Sequence, residues 1–98
     1  MSYSIFPTID LEATGRNILM LRKQHGYSVR DLAEYFCFDT PQAIYKWQWG
    51  QCLPSVDNLF ALSKLFNTSI NDILVEANQD VGVLLGYFTN IQLFKPAV

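Results

Sequence analysis

SVRDLAEYFCFDTPQAIYKWQWG, residues 28–50, is the stretch whose reading decides the fold. It divides into two short helices, over about 28–36 and 41–49, joined by a tight turn. Ser28 opens the first, and Asp31 three residues later completes an approximate capping box. In such a box each side chain takes up a backbone N–H that the helix end leaves free. Leu32, Ala33 and Phe36 form the inner face, and Ala33 is small enough to let another helix come close. Cys37-Phe38-Asp39 make the turn. Thr40 is placed to cap the second helix with its hydroxyl, and Pro41 follows at the first helical position, where its missing N–H costs nothing. Ala43, Ile44 and Trp47 then face inward, while Gln42, Tyr45, Lys46 and Trp49 lie on the other side. Gly50 ends the helix.

Two helices of this kind have the outline of a helix-turn-helix, whose second helix enters the major groove of DNA. The flanking chain supplies three more helices. Asp10 caps one running to about His25, with Leu11, Ile18, Leu19 and Leu21 as its apolar face. Arg22 and Lys23 sit in its last turns, where cations suit the negative end of the dipole, and Gly26 stops it. Gly15 weakens its start by ~1 kcal/mol relative to Ala. Ser55 caps a fourth helix over about 56–66, with Val56, Leu59, Phe60, Leu62, Ser63 and Phe66 on a broad inner face. Ser69 caps a fifth, over about 70–76. The expectation is an all-α domain of five helices over 10–76, preceded by an extended arm, 1–9.

Residues 77–98 form an apolar extension. Within it VGVLLGYFTNIQLF, 81–94, carries almost no charge and fits a helix and a strand nearly equally. So apolar a segment folds onto the domain or onto a second subunit, which makes it a candidate dimerisation segment.

Composition narrows the function classes. Ninety-eight residues, half of them hydrophobic, build one core. No apolar run approaches the ~20 residues of a membrane span, and the N-terminus has no signal-peptide pattern, so a cytoplasmic protein is expected. One His and two Cys do not close a zinc site, and Cys37 and Cys52 are read as free thiols. No catalytic constellation, cofactor loop or metal site is visible, so an enzyme is not expected. The net charge is −2, but Arg16 to Lys46 holds five basic and three acidic residues. Positive charge therefore gathers around the two-helix motif.

The order of LRKQHGYS (21–28), DLA (31–33), TPQAIYKW (40–47), Gly50, LPS (53–55) and LFALSKLFNTSINDIL (59–74) resembles the Cro and phage-repressor class of helix-turn-helix regulators, often called the xenobiotic-response-element family. The resemblance covers about 15–75 and implies a five-helix, lambda-repressor-like DNA-binding fold. By position it implies that Gln42, Tyr45 and Lys46 meet base edges or nearby phosphates. Thr40 and Pro41 start the reading helix and touch the backbone, and Arg22, Lys23 and Ser55 lie near phosphates. The chain departs from the family pattern in four places. Val29 stands where many members have a phosphate-holding Gln, with Arg30 as a replacement. Cys37 stands where Gly is usual. The turn is one residue longer, with Asp39 at the extra position. Gln48 replaces a Glu, so a hydrogen bond to Arg22 takes the place of an ion pair.

The residue chemistry suits this reading. Gln presents a donor and an acceptor in one plane, matching adenine, and Lys donates to guanine or neutralises a phosphate. Plainer readings stand beside it. Gln42 and Lys46 can be solvated surface residues, and Tyr45 divides between contact and packing on the turn. Arg22 divides between a phosphate ligand and a link between helices. Trp47 is expected in the core, while Trp49 either packs beneath the loop or lies at a surface. Two functions are therefore carried forward. One is a sequence-specific regulator of double-stranded DNA, a repressor binding as a homodimer. The other is a protein-interaction module or antitoxin-like partner using the same fold.

Overall fold

A computed structural model describes residues 6–77. Among them are five helices and no strand: α1 Leu11–Gln24, α2 Val29–Tyr35, α3 Gln42–Gln48, α4 Val56–Leu65 and α5 Ile70–Ile73. No helix among the described residues is long and apolar enough to cross a membrane. All five helices fall within one compact unit, Ile9–Val75, and the described residues on either side, 6–8 and 76–77, belong to a second. In the second unit the Ala77 N–H donates to the Thr8 carbonyl at 2.8 Å. The expected apolar segment 81–94 lies outside the described residues.

The helix starts follow local chemistry. Asp10, Ser28, Ser55 and Ser69 each accept a backbone N–H three residues on, from Ala13, Asp31, Asn58 and Asp72. At α2 the box is reciprocal, because Asp31 accepts the Ser28 N–H at 2.8 Å.

The ends follow one rule. In α1 to α4 the chain leaves through a residue with positive φ: Gly26, Cys37, Gly50 and Asn67. The residue after it returns its N–H to the helix, from Tyr27 to Arg22, Phe38 to Ala33, Gln51 to Lys46 and Thr68 to Ser63. This is the double-bonded C-terminal closure that satisfies the last carbonyls. Cys37 adopts φ 60°, where Gly is the easier residue.

The core holds Ile18, Leu32, Ile44, Trp47, Leu59, Leu62, Phe66 and Ile73. Four expectations need correction. The inner face of α1 is Thr14, Gly15, Ile18 and Arg22, and Leu11 is exposed. Thr14 is buried because its hydroxyl accepts the Val75 N–H at 2.9 Å, which ties the end of the unit to α1. On α4, Val56 and Phe60 are 77% and 55% exposed, so the inner face is narrower: Leu59, Leu62, Ser63 and Phe66. Finally, α3 begins at Gln42 and α5 closes at Ile73, because Leu74 is already extended.

Gly15 has a packing role that its helix propensity hides. A Cβ there would lie 2.6 Å from the Gln48 carbonyl oxygen and closer still to that of Trp47. Gly50, in turn, leaves only 2.9 Å between such a Cβ and the Glu12 Cα. Without side chains at these two positions, the first half of α1 seats on the carboxyl end of α3.

Candidate nucleic-acid interface

The candidate surface is the outer side of α3, and three contacts fix how α3 is presented. The first is the close approach at Gly15. The second is Arg22, only 8% exposed, whose Nε–H donates to Gln48 Oε1 at 2.8 Å and whose Nη1 donates to the Tyr27 carbonyl at 2.8 Å. The third is aromatic. Phe36 and Phe38 stack at 5.3 Å, and both meet the Trp47 ring edge-on, at 5.5 and 6.0 Å. These three rings lock the α2–α3 turn onto the buried side of α3, which leaves its other side free to face outward.

The start of α3 differs in detail from expectation. Pro41 stands just ahead of the helix, at φ −82° and ψ 10°, and supplies no side-chain cap. The Thr40 hydroxyl accepts the Gln42 N–H, but at 3.4 Å, a long bond. The first firm tie of the turn is the Tyr45 N–H to the Pro41 carbonyl at 3.1 Å.

The expected contact residues separate by place. Gln42 and Lys46 are exposed, four residues apart, and so share one face of α3. With Thr40 they line a shallow depression that also holds Asp39 and the two free, exposed thiols of Cys37 and Cys52. Tyr45 is half-buried and lines a second cleft, between α2 and α3, together with Arg30, Thr40 and Pro41. Asp39 borders both clefts and Glu34 also lines the second, so two carboxylates lie near Arg30 and one near Lys46. Val29 packs partly into the core, which leaves Arg30 as the exposed cation at the start of α2.

Lys23 and Ser55 are exposed but line neither cleft, Lys23 in the last turn of α1 and Ser55 as the cap of α4. Arg22 is committed to joining α1 and α3, and its direct availability to a ligand is small. Trp49, which lay outside the expected contact set, is 61% exposed and stacks on Tyr45 with ring centroids 5.4 Å apart. The signal for it was its position, seven residues after Gln42 on the same stripe. Among the described residues no group of three or more His, Cys, Asp or Glu side chains could hold a metal ion.

Comparison with known proteins bears on the family and the fold. A helix-turn-helix family model matches residues 18–73. The DNA-binding domain of BldD is similar in structure, with a TM-score of 0.57 at 16% identity over 67% of this chain and 94% of that one. The S. venezulae BldD DNA-binding domain gives 0.57 at 16%, over 67% and 97%. The clp gene regulator ClgR from C. glutamicum gives 0.58 at 21%, over 71% and 88%. Curated proteins gave no match.

Proposed function

The chain belongs to the helix-turn-helix family of the Cro and phage-repressor type, and from that premise we propose that it is a sequence-specific transcriptional regulator of double-stranded DNA. The observation that carries the proposal is the exposed pair Gln42 and Lys46 on the outer face of an α3 whose other face is locked into the core. In this reading α3 lies in the major groove. Gln42 pairs with adenine through its planar amide, and Lys46 donates to guanine or to a phosphate. Tyr45 lies at the groove edge. Thr40, Arg30, Lys23 and Ser55 approach the backbone from the turn and from three helix ends. Arg22 acts indirectly, by holding α3 at its angle to α1.

The regulator works as a repressor, occupying its site as a homodimer with half-sites about one helical turn apart. The near absence of charge in residues 81–94 supports a role for that segment in pairing two chains. Selection of bound sites from random duplexes tests the proposal. It should return a sequence with two-fold symmetry. Failure to enrich any sequence would favour the protein-interaction reading, to which the net charge of −2 and the exposed Asp39 also lend support.

A further inference from the structure

Four side chains continue one stripe along the outer side of α3: Gln42, Tyr45, Lys46 and Trp49. The last is the anomaly. A tryptophan 61% exposed leaves a large apolar ring in water, yet this ring is held in place rather than free. Its face stacks on Tyr45, 27° from parallel. Its backbone N–H donates to the Tyr45 carbonyl at 2.9 Å, and the next residue, Gly50, is seated against Glu12. A side chain ordered in advance loses little rotamer freedom on binding.

Position says what it would meet. At ~1.5 Å per residue, Trp49 lies about 10 Å along α3 from Gln42. The major groove is about 12 Å wide. A helix that reads the groove floor with Gln42 therefore brings Trp49 to the groove wall, where sugars and phosphates stand. We propose that Trp49 is a backbone contact for duplex DNA, its indole N–H donating to a phosphate oxygen and its ring lying on the deoxyribose. This rests on the DNA-binding reading above. The contact carries affinity and register, with no preference for base, and it adds no positive charge.

The test uses the full chain and both of its tryptophans. Trp47 is 4% exposed, so acrylamide quenching of the free protein reads Trp49. Saturating duplex should remove most of that quenching. Trp49→Leu should weaken binding to a selected duplex and to a random duplex by the same factor, roughly two- to tenfold for one hydrogen bond. The salt dependence should not change, because no cation is lost. Trp49→Phe, which keeps the ring and drops the N–H, should recover part of the loss. Weak acrylamide quenching of the remaining, buried Trp47 in Trp49→Leu confirms that the variant is folded. Undiminished quenching in the complex, unchanged affinity, a loss confined to one base pair, or a shift in sedimentation with DNA binding intact would each overturn the proposal. A wild-type chain that binds no duplex at any salt would remove the DNA reading and this contact together. A wild type that binds tightly while the Trp49 variants match it would remove this contact alone.

Discussion

The Nε–H of Arg22 donates to Oε1 of Gln48 at 2.8 Å, joining the end of α1 to the end of α3 across a nearly buried guanidinium. With the Tyr27 carbonyl as its second acceptor, Arg22 satisfies its burial through two neutral partners. Removing one leaves a buried charged donor without its acceptor. Gln48→Ala should therefore cost about 1–3 kcal/mol, measured by urea unfolding. Gln48→Glu should hold the fold, because a carboxylate accepts the same N–H with charge assistance. Equal losses from both substitutions would show that the bond contributes nothing specific.

Gly15 should resist substitution. In an exposed helix Gly→Ala gains ~1 kcal/mol of propensity. Here the added methyl meets the backbone carbonyls of Trp47 and Gln48, which cannot swing aside as a side chain would. Gly15→Ala should lower stability by about 1–3 kcal/mol, as overpacked cores do. A raised denaturation midpoint would contradict the close seating of α1 on α3.

Cys37 offers the opposite case. Its φ of 60° lies where a Cβ is unfavourable. Cys37→Gly should stabilise the domain by ~1 kcal/mol, read by thermal unfolding under reducing conditions. The Phe38 N–H to Ala33 carbonyl closure needs no side chain at residue 37, so it should survive the change. A loss of stability would mean that the thiol makes a contact outweighing its backbone strain.

Much of this was legible in the residues. The Ser28–Asp31 box, the stops at Gly26 and Gly50 and the core placement of Ile44 and Trp47 follow from capping chemistry and helical period. The Arg22–Gln48 bond could be expected from the family resemblance once Gln48 was seen to replace an acid. What the residues hid was burial that does not come from apolar side chains. Thr14 goes inside for its hydroxyl, Gly15 for its lack of a side chain and Arg22 for its donors, so an apolar count turned α1 toward Leu11. On α4 the same counting placed Val56 and Phe60 inside, although no helix among the described residues covers them. Trp49 shows the limit at the candidate interface. Its side of the helix follows from the period, but its exposure and its stacking on Tyr45 do not.

The most direct measurement is a salt titration of binding to a selected duplex and to a random one, for wild type, Gln42→Ala and Lys46→Gln. A groove-reading α3 predicts that the selected duplex binds at least ~1,000-fold more tightly. Affinity for both should fall steeply with salt. Lys46→Gln should reduce the slope of log affinity against log salt by about 0.9, the value of one phosphate contact. Gln42→Ala should leave the slope alone and relax specificity at one base pair, at a cost of about 1–3 kcal/mol. Binding that is insensitive to salt, or equal losses on both duplexes for Gln42→Ala, would contradict the account.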